Sequence, residues 1–231
     1  MAIEELGGYR IIRKLGEGAR AQVLLGIGDD PEEVPVALKA YRPGVPADAV
    51  LLEIEALHRA AGPHVQGLLD IAPAHDGMLV LVLERLSSGG LDRLLRTRER
   101  LAAGEAITIL APLAGALARL HDAGVLHGAV TARAVLFTAD GAPVLSGFGR
   151  AVLVEPGLSR AAREAEAGFA ADLAGFAALA RELLERVPGT DAGRLLDSPG
   201  DLRDFADRLF ALGDASPVRF DASESPATVP A

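Results

Sequence analysis

The fold of this chain is decided by the stretch His127-Gly128-Ala129-Val130-Thr131-Ala132-Arg133-Ala134-Val135-Leu136. Its end runs into an apolar segment, 134–137, which predicts a short strand, and the tight-turn pair Asp140-Gly141 leads to a second strand at 143–145. The triplet Gly147-Phe148-Gly149 follows and begins twenty residues after His127. A loop, a short hairpin and a Phe-containing triplet thus follow one another, and any fold assigned to the chain has to contain all three in this order.

Composition sets the size and the chemistry of the core. The 231 residues are enough for one large domain or two small lobes with a sizeable core. Half of them are hydrophobic, but only 4% are aromatic and none is Trp, so Leu, Val and Ala must supply most of the core. The net charge of −9 argues against nucleic acid and anionic membrane surfaces as partners.

Composition also bears on location. The absence of Cys excludes disulfide bonds and thiolate metal sites and fits a reducing compartment. The acidic start Met1-Ala2-Ile3-Glu4-Glu5 lacks the basic and then apolar profile of a signal peptide. No run of about 18 uncharged apolar residues is present, so no membrane insertion is expected. The expected location is the cytoplasm.

The part of the chain before the decisive stretch has a β pattern. Strands are predicted for five short apolar runs separated by Gly, Asp and Pro: 9–15, 22–27, 34–41, 66–71 and 78–83. One helix interrupts them, and it begins at Pro46-Ala47-Asp48 and ends at Gly62-Pro63. Gly89-Gly90 then marks a hinge-like break.

Beyond this break the pattern is mainly helical. Helices are predicted at 91–100, at 107–120, at 172–186 and after Ser198-Pro199-Gly200-Asp201, with Ser198 as the N-cap. From about Ala215 the chain is rich in Ser, Pro and Ala, which predicts disorder. The predicted order is therefore a β-rich part with one helix, a glycine-containing hinge and a helical part.

This order resembles that of the protein kinase superfamily, and four motifs carry the resemblance. Residues 16–23, Gly-Glu-Gly-Ala-Arg-Ala-Gln-Val, resemble the glycine-rich loop G-x-G-x-x-G-x-V, with Ala21 at its third glycine. Val36-Ala37-Leu38-Lys39 matches V-A-I-K, and the stretch from His127 resembles H-R-D-L-x-x-x-N. Gly147-Phe148-Gly149 stands where kinases have Asp-Phe-Gly. The resemblance covers residues 8 to 186, roughly, and is closest to the bacterial Ser/Thr kinases.

The resemblance implies an α+β, two-lobed protein-kinase-like fold. It places a kinase-like N-lobe with one helix at 1–86, a truncated helical C-lobe at 87–214 and a disordered tail at 215–231. Between Arg150 and Ala171 the Ala-Pro-Glu motif of the family is missing, and Ser159 is the one hydroxyl side chain. Only one helix is predicted after 172–186, so the helices that usually complete the C-lobe are absent or compressed.

The nucleotide-facing positions of the family largely persist. By resemblance, Lys39 contacts the α- and β-phosphates and pairs with Glu53, for which Glu55 is the competing partner. Leu83 corresponds to the gatekeeper, and the backbone of 84–86 would face an adenine edge. The implied nucleotide site consists of Gly16, Gly18, Ala21, Val23, Ala37, Lys39, Glu53, Leu83, Glu84 and Leu86.

Each of these motifs also has a simpler explanation. Two glycines between strands also form a plain hairpin, and the apolar run before Glu84 is typical of any buried central strand. In one alternative, Lys39 and Glu53 are surface residues that do not contact each other. In another they form an ion pair that is purely structural, with no nucleotide bound.

The catalytic positions depart from the family. Ala129 stands where kinases have the catalytic Asp, Ala134 where they have the metal-binding Asn, and Gly147 where they have the metal-binding Asp. Thr131 replaces a Lys that contacts the transferred phosphate, and Gly128 replaces the Arg of the loop. A methyl group or a hydrogen atom neither accepts a proton nor ligates a cation, so no metal ligand is predicted.

Four further residues have structural roles by resemblance. His127 would pack beneath Phe148, and Leu57 would continue that apolar stack. Asp172 would open the central helix of the C-lobe and tether the backbone of the loop at 127.

These losses predict a pseudokinase, a regulatory or scaffolding binding module with weak, metal-independent ATP binding. The missing ligands argue against bound magnesium and against phosphoryl transfer, which depends on metal-borne charge stabilisation. The alternative is an atypical or weakly active Ser/Thr protein kinase. The partner is not named by the sequence; a kinase or a phosphopeptide-binding domain is a candidate, because Ser223, Ser225 and Thr228 lie in the predicted tail.

Overall fold

The structure, a computed structural model, describes residues 5–30, 34–74, 78–197 and 201–220. The chain divides into two compact units, Met1–Ala61 with Gln66–Arg85, and Gly62–Val65 with Leu86–Ala231. Residues 62–65, predicted within the first lobe, fall in the second unit because the amide of Leu145 donates to the carbonyl of His64 at 2.8 Å. The predicted α+β architecture is confirmed.

The first unit is an antiparallel sheet with one helix. Its elements are β1 (Glu5–Leu6), β2 (Tyr9–Glu17), β3 (Ala21–Ile27), β4 (Val36–Tyr41), α1 (Ala47–Ala60), β5 (Leu68–Pro73) and β6 (Leu79–Leu83). The strand order is β1-β2-β3-β4-β6-β5, and every neighbouring pair is antiparallel. Leu24, Leu38, Val80 and Val82 form the core on one face of the central strands. The side chains at every second position of these strands share this face, which explains the apolar runs in the sequence.

The second unit is mainly helical. Its helices are α2 (Leu91–Thr97), α3 (Ala103–Asp122), α4 (Arg160–Ala165), α5 (Ala167–Leu184), α6 (Ala192–Leu196) and α7 (Leu202–Leu209). Its short strands are β7 (Val125–Leu126), β8 (Val135–Phe137), β9 (Pro143–Leu145) and β10 (Val152–Leu153), paired antiparallel as β8-β9 and β7-β10. Among the described residues, α3 is the one helix with the length and composition to cross a membrane, but 67% of its apolar window is buried in the protein. It is the central helix of this unit and packs against α5 and α7.

The C-terminal end of the second unit differs from the expectation. Two short helices, α4 and α6, were not predicted, because five or six residues are too few to show a clear hydrophobic period. The last helix begins later than expected: Asp201, not Ser198, is its N-cap and accepts the amides of Arg203 and Asp204 at 2.8 and 3.0 Å. Ser198 itself lies outside the described residues.

The predicted disorder is wrong for residues 215–220, which dock on α3 and its neighbours. The amide of Ser216 donates to the carbonyl of Gly104 at 3.1 Å, and the Thr108 hydroxyl donates to the carbonyl of Ser216 at 2.8 Å. The rings of Phe220 and Phe137 lie 5.1 Å apart, edge to face. The contacts are non-local, so the Ser, Pro and Ala composition of the segment did not reveal them. The rest of the predicted tail, 221–231, lies outside the described residues.

Glu105 holds this segment in place. Its carboxylate is 2% exposed and accepts hydrogen bonds from Arg98 at 2.6 and 2.9 Å and from the amides of Ala102 and Arg219 at 2.9 Å each. Burial alone would raise the pKa of Glu105, but the hydrogen bonds from Arg98 and the two amides lower it to about 2.

Glu105 therefore makes part of the stability acid-sensitive. Its folded pKa is depressed, so its contribution is complete above the unfolded value of 4.5 and is lost as the pH falls towards 2. We expect Glu105→Gln to lower the free energy of unfolding at pH 7 by about 1–3 kcal/mol, and the difference from the parent protein to shrink below pH 4.5. Urea denaturation across this range measures it, with the exposed Glu99→Gln as the matched control. A difference that stays constant with pH would contradict the assignment.

Helix α5 approaches the decisive loop through one face that carries two glycines. A Cβ on Gly168 would lie 2.3 Å from Leu126 Cδ1, and one on Gly175 would lie 2.7 Å from the carbonyl oxygen of Val130. Positions 168, 172 and 175 are spaced four and three apart, so they share one helix face. Small residues at the ends of this face let Asp172, between them, reach the loop backbone.

This geometry reverses the usual effect of replacing a helix glycine. Gly175→Ala should lower the free energy of unfolding by about 1–3 kcal/mol, because the new methyl group meets a backbone carbonyl that does not move easily. Gly115→Ala in α3 is the matched control, since its Cβ would meet only Arg119 Nη1 at 3.6 Å. The control should gain up to about 1 kcal/mol from helix propensity. Equal effects of the two substitutions in urea denaturation would refute the close approach.

Candidate functional site

The predicted glycine loop is the hairpin between β2 and β3. The amide of Gly18 donates to the carbonyl of Ala21 at 2.8 Å, and Gly16 pairs with Val23 in the sheet. Neither Gly16 nor Gly18 has a positive φ, and a Cβ on either would meet no atom closer than 3.7 Å. Neither backbone conformation nor packing in the described structure requires glycine at these two positions.

Lys39 and Glu53 are brought together in the first unit. Lys39 projects from β4 and donates to Glu53 Oε1 on α1, and their side chains are 15% and 4% exposed. Glu55, the competing partner, instead accepts from Arg59 at 2.7 Å on the outer face of α1. The alternative in which Lys39 and Glu53 never meet is therefore wrong.

Tyr41 completes this pair, and the sequence did not reveal it. Its hydroxyl donates to Glu53 Oε2 at 2.7 Å, and Lys39 Nζ lies 5.3 Å from the centre of its ring. Burial, the Glu53 charge and this hydrogen bond raise the pKa of Tyr41 well above its usual range, so the hydroxyl stays a donor. Both Glu53 oxygens are thus occupied. The sequence feature that could have identified Tyr41 is its two-residue spacing from Lys39, which puts both side chains on one face of the strand.

The other predicted nucleotide positions of the first unit lie on its strands. Ala21 and Ala37 are buried and Val23 is half-buried, while Leu83 is 5% exposed at the end of β6. The backbone of Glu84 is already bonded within this unit: its amide donates to the carbonyl of Gly67 at 2.9 Å, and its carbonyl accepts from Gln66 Nε2 at 3.0 Å. Leu86 belongs to the second unit and is half-buried.

The loop that begins at His127 is held by a buried carboxylate. Asp172, 1% exposed, accepts the amides of His127 at 2.7 Å and Gly128 at 2.8 Å, and it contacts His121 Nε2 at 3.1 Å. Burial alone would raise the pKa of Asp172, but the hydrogen bonds from His121, His127 and Gly128 lower it, so the carboxylate stays ionised. The predicted tether of the loop backbone is present. Asp172 does not open its helix, however, because α5 spans Ala167–Leu184 and not the predicted 172–186.

The ring of His127 is fully buried and packs on Phe148. The two rings lie 4.8 Å apart at 67°, an edge-to-face contact. His127 Nε2 lies 2.9 Å from the carbonyl of Ser146, and its Nδ1 lies 3.3 Å from the amide of Ala129. A proton on Nε2 and none on Nδ1 would satisfy both contacts. The predicted packing of Leu57 on this pair joins the two units and stays a prediction; Leu57 itself is 3% exposed.

The positions that depart from the family carry no carboxylate or amide side chain. Ala134 is buried, Ala129 is half-buried and Thr131 is exposed. Gly147 has a φ of +82°, a backbone conformation that favours glycine, although a Cβ added to it would meet no atom within 4 Å. Among the residues that the structure describes, no three His, Asp or Glu side chains are grouped to hold a metal ion.

Gly128 has a structural reason that the sequence did not reveal. Its φ is +72°, and a Cβ would lie 2.4 Å from the carbonyl oxygen of Arg150. An arginine there would be strained and would collide with this backbone. The signal for this constraint is non-local, because Arg150 is 22 residues away in the sequence.

The role of the ion pair in folding is testable by a double-mutant cycle. Lys39→Met should lower the free energy of unfolding by about 3 kcal/mol, because it leaves the Glu53 carboxylate buried without its cation. Lys39→Met combined with Glu53→Leu should lose much less than the sum of the two single changes.

The matched control is Lys14→Met, which breaks a surface pair with Glu17 whose side chains are 53% and 46% exposed. It should change the stability by less than about 1 kcal/mol. Strictly additive losses at positions 39 and 53, measured by urea denaturation, would contradict a direct interaction between them.

Comparison with known proteins finds one family and several curated relatives. The model of the family described as protein tyrosine and serine/threonine kinase matches residues 9–168. Serine/threonine-protein kinase PkaB of Streptomyces coelicolor is 32% identical over 158 residues, which are 66% of this chain and 37% of PkaB. Serine/threonine-protein kinase PknD of Mycobacterium tuberculosis is 29% identical over 167 residues, 68% of this chain and 24% of PknD. The chain thus spans less than half the length of these relatives.

Proposed function

Because the chain belongs to the protein tyrosine and serine/threonine kinase family, we propose that it is a pseudokinase, a binding module that holds ATP without a metal ion and transfers no phosphate. The observation that carries this proposal is the chemistry of three positions. Ala129, Ala134 and Gly147 stand where the family has its catalytic base and its two metal ligands.

These three residues do not fit magnesium or a general base. Phosphoryl transfer depends on positioning and on stabilising the charge of the transferred group. Removing one such electrostatic group commonly costs a factor of about 10²–10³ in rate, and effects within one site are not simply additive. With all three groups replaced by a methyl group or a hydrogen atom, the remaining site supports binding better than catalysis.

Three features support retained nucleotide binding. Lys39 is paired with Glu53, which Tyr41 also contacts, so its ammonium group is held at a fixed place on β4. Gly16 and Gly18 are glycines that neither packing nor φ requires, which favours a reason such as close approach of a ligand to the backbone. The chain has 23 basic residues, of which only Lys14 and Lys39 are lysines, so a lysine at position 39 does not follow from composition.

The binding is expected to be weak. Glu53 already neutralises the charge of Lys39, and the chain as a whole carries a net charge of −9, which disfavours a polyanion such as metal-free ATP. In this proposal the nucleotide stabilises one arrangement of the chain and so tunes a surface for a protein partner. A kinase or a phosphopeptide-binding domain is the proposed class of partner.

A thermal-shift titration with ATP tests the proposal. In EDTA, ATP at about ten times its Kd should stabilise the protein by about 1.4 kcal/mol, a shift of roughly 3–5 °C. Adding magnesium should not increase the shift, and no ADP should form. The shift should vanish in Lys39→Ala and persist in Lys14→Ala, which removes the other lysine from an exposed surface pair.

The two lysines allow a second measurement that does not depend on stability. An ATP derivative with a reactive acyl phosphate should acylate Lys39 Nζ with loss of the nucleotide, and excess ATP should protect Lys39 but not Lys14. Labelling without protection, together with no thermal shift, would leave the ion pair as purely structural. A magnesium-dependent shift with ADP formed, abolished by Lys39→Ala, would instead establish the alternative of a weakly active phosphotransferase.

A further inference from the structure

The second unit contains a cavity that none of the family motifs touches. It has a volume of about 610 Å³ and lies between α3, α4, α5 and α7. Cavities that bind small molecules usually measure about 300–1,000 Å³ and combine an apolar wall with a few polar groups. The size alone therefore fits a small organic ligand.

Part of the lining of this cavity is aromatic. Phe169, Phe176 and Phe205 line it, and each is only 3–5% exposed. The rings of Phe176 and Phe205 meet edge to face at 5.5 Å. The chain has just seven phenylalanines and no Trp, so nearly half of its phenylalanines meet at this one place. Such a wall favours a hydrocarbon or aryl group.

The lining of the cavity also carries positive charge. Three arginines line it: Arg163, Arg203 and Arg208. The guanidinium groups of Arg163 and Arg208 lie 5.6 and 6.0 Å from the ring centres of Phe169 and Phe205, so they adjoin these aromatic side chains. Two of the three positive charges therefore lie directly beside the apolar surface.

Two of these arginines share a single carboxylate. Asp122 accepts from Arg163 at 2.9 Å and from Arg203 at 2.6 Å. Asp201, the acidic residue that lines the cavity, caps α7 by accepting backbone amides. Arg163 also donates its Nε to the carbonyl of Leu158 at 3.0 Å. Because each guanidinium group carries five N–H donors, Arg163 and Arg203 keep donors for a further anion beside these contacts.

We propose that this cavity binds a small amphipathic monoanion, an organic acid whose apolar body lies on the three phenylalanines and whose carboxylate meets the arginines. A carboxylate accepts two parallel hydrogen bonds from one guanidinium group, which makes arginine a specific partner for it. The site shares no residue with the one proposed to bind nucleotide, so the two proposals stand or fall independently.

Calorimetric titration with octanoate and with octan-1-ol tests the proposal. The two probes share their chain and differ in the charged head, so octanoate should bind at least about tenfold more tightly. Arg163→Gln should remove most of this preference. Arg181→Gln, an exposed arginine on α5 outside the cavity, is the matched control and should leave it unchanged. Equal affinities for the two probes, or no binding of either, would overturn the proposal.

A second variant and a measurement on the parent protein test whether the probes bind in this cavity. Ala177→Phe places a ring in the open volume and should abolish binding of both probes while the protein stays folded, as judged by circular dichroism. If this variant does not fold, hydrogen exchange of the parent protein with octanoate decides, and slower exchange is expected in peptides that cover 158–177 and 201–208. Slower exchange elsewhere, or in neither segment, would contradict the assigned cavity.

Discussion

The carboxylate of Asp172 is the interaction on which the second unit depends. It is buried and ionised, and it accepts the amides of His127 and Gly128 while contacting His121. The decisive loop is therefore held by a helix and not by the residues that perform catalysis in the family. This separation explains how the loop keeps its course with alanine at positions 129 and 134, because the tether binds backbone amides and needs neither side chain.

Tethering of the loop by Asp172 also requires that backbone segments approach each other closely. Asp172 reaches the loop because Gly168 and Gly175 let α5 come near, and because Gly128 adopts a positive φ against the carbonyl of Arg150. The same helix also borders the cavity. The ring of Phe169, on its first turn, lies 4.8 Å from the ring of His121, and His121 in turn contacts Asp172. One helix thus connects the loop and the aromatic cavity through direct contacts.

In the first unit, the interaction that corresponds to the Asp172 tether is the Lys39–Glu53 ion pair together with Tyr41. Its members come from β4 and α1, and the sheet and helix were both predicted from local patterns.

Five residues were identified from the sequence because each stands in a motif that keeps the spacing of the family: Lys39, Glu53, His127, Phe148 and Asp172. The sequence did not reveal Tyr41 or the docked segment 215–220, since their partners are far away in the sequence. It did not reveal α4 and α6 either, because these helices are too short to show a hydrophobic period.

The sequence by itself determined the α+β class, the order of the longer strands and helices, and the absence of carboxylate and amide groups at the positions that correspond to the catalytic residues of the family, because strand and helix periods and residue identities are local properties. Only the tertiary structure decided which glutamate pairs with Lys39, why position 128 is glycine, and that three phenylalanines and three arginines meet around one cavity. These facts depend on distances between residues that are remote in the chain, and such distances are set by how the helices and strands pack.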